Sequence, residues 1–211
     1  EWVQAFTNAL AADQKEFSIF CSGGDTTSIN GPLSISITAL GLVPTGKAVK
    51  RSGAKAGDYI VLTGLVGDAW IGLEILRGNI KPEHPQSFLN AYRRPMPHTK
   101  IVASVRAYAH AAADVSDGLI ADMMHIATAS HLAAVIAADK IPLSPQALDY
   151  ARLEDLITGG DDYQLVLAVS PENLQRLDFP HFVIGRFEAG ETALKFEGKK
   201  PDLKQTGWSH F

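Results

Sequence analysis

Six consecutive residues, Asp114-Val115-Ser116-Asp117-Gly118-Leu119, constrain this chain more than any other stretch. Two carboxylates and a hydroxyl fall within four positions. Downstream, Leu119, Ile120, Met123, Ile126 and Ala127 recur at three- and four-residue steps, the period of an amphipathic helix. The small run Ala111-Ala112-Ala113 comes before. The acids therefore sit where a strand or loop end opens into a helix. A helix N-terminus offers free N–H groups and a positive dipole end, so it holds phosphate. Carboxylates at that place bind Mg²⁺ instead, and the Mg²⁺ binds the phosphate. The plainer alternative makes Ser116 or Asp117 an ordinary helix N-cap. Asp122 falls beyond the motif, on the helix, and receives no role.

The rest of the chain alternates helical and strand patterns. Residues 2–10 place Trp2, Val3, Phe6, Ala9 and Leu10 on one helical face. Residues 17–21 and 33–40 read as strands, the second with clean period-two alternation. Gly41 to Gly46, interrupted by Pro44, is the expected domain boundary. Residues 59–63, 133–137, 163–169, 182–184 and 193–196 read as further strands. Helices are expected from near Ala69 with Asp68 as N-cap, around 88–92, from about 98 to 109, over 145–153 and from Pro171. The expected fold class is α/β (α+β). Residues 1–45 form the smaller unit, which the family resemblance carried by the motifs below implies is the remnant of an N-terminal α/β ATP-binding domain. Residues 46–211 form a C-terminal α/β sandwich domain.

Composition narrows the partners. A net charge of −4 leaves no nucleic-acid footprint, and no basic run suggests a membrane surface. No apolar stretch is long enough to span a bilayer. The lone Cys21 excludes an internal disulfide and fits a reducing, cytoplasmic setting. The first residues form an amphipathic pattern without a basic leader, so no signal peptide is expected, and without an initiator Met this N-terminus is not expected to be the native one. No P-loop, G-x-G-x-x-G, H-E-x-x-H or Cys/His zinc spacing occurs, which removes the commonest nucleotide and zinc sites.

Three small-residue loops carry acids: Gly23-Gly24-Asp25-Thr26-Thr27, Asp114 to Gly118, and Gly159-Gly160-Asp161-Asp162-Tyr163. A basic turn, Lys50-Arg51-Ser52-Gly53, joins them. Glycines let backbone approach a ligand closely, Asp oxygens suit hard cations, and the planar fork of Arg suits phosphate. Singly, each loop is an ordinary tight turn. Jointly they read as a site for a metal-bound polyphosphate.

The order of these motifs carries a resemblance. Gly23 to Thr27 precedes Gly31-Pro32-Leu33-Ser34-Ile35, then Arg51-Ser52-Gly53-Ala54-Lys55-Ala56-Gly57-Asp58, then Thr63-Gly64 with Gly67-Asp68-Ala69. Asp114 to Asp122 and Thr158-Gly159-Gly160-Asp161-Asp162-Tyr163 complete the series. The chain resembles the thiamine-monophosphate kinases of the aminoimidazole-ribonucleotide-synthetase-like ATP-binding superfamily. That resemblance implies ATP- and Mg²⁺-dependent phosphorylation of thiamine phosphate to thiamine diphosphate, by a homodimer when full length. It implies that Gly24, Asp25, Arg51 and Ser116 bind ATP, and that Asp25, Asp114 and Asp117 hold metal. Asp25, Arg51, Asp114 and Asp117 form the catalytic set, and Asp161 and Trp208 face thiamine phosphate.

Three departures stand out. Asp161 occupies a position where the family usually has Glu. The link Ser28-Ile29-Asn30 is longer than usual. The front of the family's N-terminal domain, with its own metal-binding acids, has no counterpart, so the chain alone is expected to turn over poorly or not at all. Two other readings remain open: another ATP-using synthetase of the superfamily, such as the aminoimidazole ribonucleotide or selenophosphate synthetases, or a non-catalytic nucleotide-binding fragment.

Overall fold

The computed structural model describes residues 1–208, so the last three positions of the expected tail lie outside the described residues. Its contacts divide the chain into two compact units, Glu1–Val43 and Pro44–Phe211. The first unit holds one helix, α1 (Trp2–Phe17), which ends as Ser18 turns left-handed at φ 54°. Trp2 stacks on Phe6 one turn away. No residue of α1 is buried.

The two strands expected at 17–21 and 33–40 are not formed. Among the described residues these segments are irregular, and both sides of the alternating 33–40 stretch are exposed. The pattern is present, but the first unit holds no described strand. A lone strand leaves its backbone N–H and C=O groups without a ladder, so alternation alone does not make a sheet.

The second unit is built on a six-stranded sheet of order β2-β4-β1-β5-β3-β6. Its strands are β1 (Tyr59–Leu62), β2 (Ala109–Asp114), β3 (Ala133–Ala137), β4 (Leu165–Val169), β5 (Phe182–Glu188) and β6 (Leu194–Glu197). Every pairing is antiparallel except β3 with β6. The helices of this unit are α2 (Asp68–Leu76), α3 (Gln86–Arg93), α4 (Val102–Tyr108), α5 (Leu119–Ser130), α6 (Ala147–Tyr150), α7 (Leu153–Thr158) and α8 (Pro171–Leu174).

Both faces of the sheet are covered, and the strands divide their residues between them. Ile60 and Leu62 of β1 pack with Val166 and Ala168 of β4, Ala111 and Ala113 of β2, and the apolar stripe of α5. That stripe is Leu119, Ile120, Met123, Ile126 and Ala127, the five positions that define the helical period. Val61, Leu167 and Val169 face the other way, onto Val105 of α4 and onto Leu177 and Phe179 beyond α8. A third cluster joins α2, α3, α6 and α7 through Ile71, Phe88, Ala147 and Leu156.

The helix expected over 98–109 is shorter. A 3₁₀ turn, Thr99–Ile101, leads into α4, and residues 109–114 extend into β2, where Asp114 pairs with Leu165. Alanine favours helix, yet the run Ala111-Ala112-Ala113 fills the gap beside β4, so tertiary pairing overrides local propensity. Phe187 on β5 is fully buried and belongs to the α5-side cluster. Phe187→Ala is expected to cost about 3–5 kcal/mol by loss of burial and creation of a cavity. A urea titration of wild type and variant, read at the midpoint with the slope held common, measures it.

Candidate functional site

At the end of β2 the chain leaves the sheet at Asp114 and enters α5 through Gly118, whose φ of 120° marks it as the N-cap residue. Neither Ser116 nor Asp117 caps the helix. Instead Asp122, in the first turns of α5, reaches back. Its Oδ2 accepts hydrogen bonds from the backbone N–H of Ser116 at 2.9 Å and of Asp117 at 3.0 Å. Asp122 is fully buried and holds the acid loop in shape. Burial raises its carboxyl above the usual range, the two N–H bonds lower it, and the charges of Asp117 and Asp114 push it up again. The sequence reading missed this residue. Its signal was a carboxylate on the face otherwise occupied by Ile120, Met123 and Ile126.

The third acidic loop lies directly against this one. Asp161 N–H donates to Ser116 C=O at 2.9 Å, Tyr163 N–H to Val115 C=O at 2.8 Å, and Val115 N–H to Gln164 C=O at 2.8 Å. Gly160, at φ 76°, has no room for a side chain, because a Cβ there would run into Ser116 O. Asp161 and Tyr163 both adopt the left-handed region, at φ 62° and 49°. That conformation costs on the order of 1–2 kcal/mol for a residue such as Tyr, and strain of this kind gathers at functional loops. The C-terminal tail also returns here, with Trp208 N–H donating to Asp117 C=O at 2.8 Å. The Trp208 side chain is half exposed.

The second unit therefore brings together Asp114, Ser116, Asp117, Asp161 and Trp208. Arg51 lies elsewhere on that unit. Its turn runs beside β2, where Lys50 C=O accepts from Ala112 N–H, and it is anchored to the last residue of α5 through Ser130 Oγ. The acid loop is at the opposite end of this 12-residue helix, a length of about 18 Å. The Arg51 turn is braced by the buried Asp58, whose carboxylate accepts from Lys55 N–H at 2.8 Å and lies 2.9 Å from His110 Nδ1. Gly24 and Asp25 belong to the first unit, on an exposed stretch where Asp25 Oδ1 accepts the N–H of Thr26 at 2.8 Å.

Asp68 is not the N-cap of α2 as expected. Gly67 holds that position with φ 88°. The cap comes from the adjacent loop: Asp162 accepts from Gly67 N–H at 2.8 and 2.9 Å and more weakly from Ala69 N–H. As a residue Asp162 keeps partial exposure, but its carboxyl group is enclosed by protein, and burial pushes it up to about 7. The two N–H bonds oppose that shift, and the charges of Asp68 and Asp161 add to it.

A divalent cation fits this chemistry. One oxygen each of Asp117 and Asp122 and a ring nitrogen of His125 lie within 4.8 Å of one another, and Asp122 Oδ1 is buried without a hydrogen-bond partner. Two carboxylate oxygens and an imidazole nitrogen form a donor set for a divalent metal ion.

Comparison with known proteins follows the same lines. The family described as AIR synthase related protein, C-terminal domain, matches residues 55–191. Thiamine-monophosphate kinase of Caulobacter vibrioides is 35% identical over 98% of this chain and 63% of its own length. The enzyme of that name from Salmonella typhimurium is 34% identical over the whole chain and 69% of its own length. The solved structure of AaThiL complexed with AMPPCP and TMP superposes with a TM-score of 0.68 at 33% identity, over 77% of this chain and 54% of that one. The chain thus spans about two thirds of the length of the curated relatives it matches.

Asp162 gives a pH test. Its folded pKa lies above the ordinary value of 3.8, so the native state binds the extra proton between about pH 4 and 7. Its contribution to stability is present at low pH and is lost as pH rises through about 7. Asp162→Asn keeps an acceptor for Gly67 N–H and removes the titration. Relative to wild type, the variant should gain stability between pH 5 and pH 8, read as the difference in melting temperature at the two values. A constant difference would place the Asp162 proton elsewhere.

Proposed function

This chain belongs to the thiamine-monophosphate kinase family, and we propose that the whole protein transfers the γ-phosphoryl group of ATP to thiamine phosphate, giving thiamine diphosphate and ADP. The observation that carries this reading is the convergence of the acid loop, the Asp161 loop and the Trp208 backbone on one another, in a chain about a third identical to kinases of that name.

The reaction breaks the bond between the γ-phosphorus and its bridging oxygen and forms one to a phosphate oxygen of thiamine phosphate. That oxygen is already ionised near neutral pH, so no strong general base is required. The chain's residues hold and orient the two anions. On the second unit Ser116 binds the nucleotide, and Asp114 and Asp117 would hold Mg²⁺; Gly24, Asp25 and Arg51 are assigned to the nucleotide, and Asp25 to the metal, by the family resemblance alone. When bound, Mg²⁺ neutralises the polyphosphate and the charge developing in transfer. Arg51, anchored at the other end of α5, is assigned to a part of the nucleotide remote from the transferred group. Asp161 and Trp208 hold thiamine phosphate, with the shorter Asp161 setting the reach to that substrate. Asp122 and the hydrogen bonds between the loops keep Ser116 and Asp117 in place, so that little reorganisation is needed at the moment of transfer. The full-length protein is read as a cytoplasmic homodimer with no nucleic-acid or membrane partner. Among the described residues, no helix is long and apolar enough to cross a membrane.

Two measurements test this. AMPPCP should raise the melting temperature of the full-length protein only with Mg²⁺ present, since like-charged acids repel the nucleotide without a cation between them. At a hundredfold excess over Kd the gain is about 2.7 kcal/mol. Equal stabilisation in excess chelator removes the metal assignment. The second measurement concerns Trp208, whose ring is assigned to the thiazolium cation. A cation over an indole face contributes about 0.5–2 kcal/mol, so Trp208→Ala should raise the KM for thiamine phosphate roughly 2- to 30-fold and leave that for ATP nearly fixed. A parallel rise in both makes Trp208 a packing residue.

A further inference from the structure

Asp122 and His125 of α5 remain after that assignment. Asp122 Oδ2 is engaged by two backbone N–H groups. Its Oδ1 is buried and lacks a hydrogen-bond partner, on a residue with no exposed surface. A buried carboxylate oxygen left unsatisfied is costly and calls for a partner. His125 stands three residues further along α5, on the same side of the helix, and is exposed. It shares the 4.8 Å cluster with Asp122 and with Asp117 across the loop. Bonds of about 2.0–2.2 Å from one tetrahedral ion to nitrogen and oxygen put its donors roughly 3.3–3.6 Å apart. A rotation of the exposed His125 imidazole that closes its separation by up to about an ångström brings the donors to that spacing.

We infer that Asp117, Asp122 and His125 form a site for a divalent transition-metal ion, filled without nucleotide. The nitrogen donor decides the class. Mg²⁺ takes oxygen ligands and gives up water reluctantly, whereas imidazole suits Zn²⁺ and Co²⁺, with Mn²⁺ weaker. The Asp122 carboxylate, with one oxygen otherwise unpartnered, gains a ligand, and the ion ties the end of the acid loop to the first turns of α5. The inference rests on the proposed kinase reading only in sharing Asp117; Asp114 belongs to the nucleotide-linked set and has no part here.

The probe is Mn²⁺, titrated into the intact full-length protein without nucleotide and followed by loss of the free-ion electron paramagnetic resonance signal. In a large excess of Mg²⁺, which fills sites built of carboxylates alone, one bound Mn²⁺ is expected to remain and to be displaced by stoichiometric Zn²⁺. His125→Ala alters an exposed side chain and should weaken binding tenfold or more, on the order of the loss seen on disturbing ligand shells. Asp114→Asn should weaken it by a clearly smaller factor. Absence of a nucleotide-independent site, displacement by Mg²⁺, no effect of His125→Ala, or a loss in Asp114→Asn as large as that in His125→Ala each overturns the inference. A protein that meets these expectations yet leaves thiamine phosphate unmodified overturns the proposed reaction alone.

Discussion

The arrangement of the site depends on one carboxylate. Asp122 lies in the apolar stripe of α5 and spends its Oδ2 on the N–H groups of Ser116 and Asp117. Those two groups would otherwise be unpaired donors in the loop before a helix start. Hydrogen bonds to a charged acceptor contribute about 1.5–3 kcal/mol each, while burial and two neighbouring carboxylates oppose the charge. The balance fixes the direction in which β2 ends and α5 begins. Once Ser116 and Val115 are held, their carbonyl oxygens become acceptors for Asp161 and Tyr163, and the third loop is positioned in turn.

The same device occurs a second time. Asp162 supplies to α2 the cap that Asp68 does not, by accepting from Gly67 N–H across the gap between loops. In both cases a carboxylate from elsewhere satisfies the backbone donors of a helix entrance. Residues of the Gly159–Tyr163 stretch thus bind the acid loop on one side and the start of α2 on the other. Left-handed φ values at Asp161 and Tyr163 are tolerated because hydrogen bonds on both sides hold the loop in that shape.

Much of this was legible in the sequence. The period of Leu119, Ile120, Met123, Ile126 and Ala127 located α5, and the buried runs at 59–63, 133–137 and 163–169 located three strands, since each pattern is read out by one sheet face or helix side. What failed was whatever depended on a partner distant in sequence. The alternation over 33–40 has no described strand to pair with in the first unit. The cap of α2 is Gly67 backed by Asp162, residues 95 positions apart. Asp122 received no role because its neighbours Ala121 and Met123 say nothing of the N–H groups it meets. Among the candidate residues, Asp114, Ser116, Asp117, Asp161 and Trp208 share a neighbourhood, while Arg51 is anchored at the other end of α5.

Charge decides what such a neighbourhood can do. Asp114, Asp117, Asp122 and Asp161 contribute carboxylates to one small volume, and their influence reaches Tyr163, whose hydroxyl is raised first by burial and then by the charge of Asp161. Arg77, Arg152 and Arg186 make their ion pairs with Glu74, Asp155, Glu188 and Glu197, none of them in this cluster. The opposing positive potential comes from backbone N–H groups and the N-terminal end of α5, and these fixed dipoles are already engaged by Asp122. A permanent Lys or Arg counter-charge would neutralise the cluster and leave it inert toward cations. Partial neutralisation by dipoles does the opposite: it stabilises the acids enough to keep them in place and leaves a residual negative potential that only a mobile cation can cancel. A loop held in that state is organised before any ligand arrives, so binding energy need not be spent on ordering it.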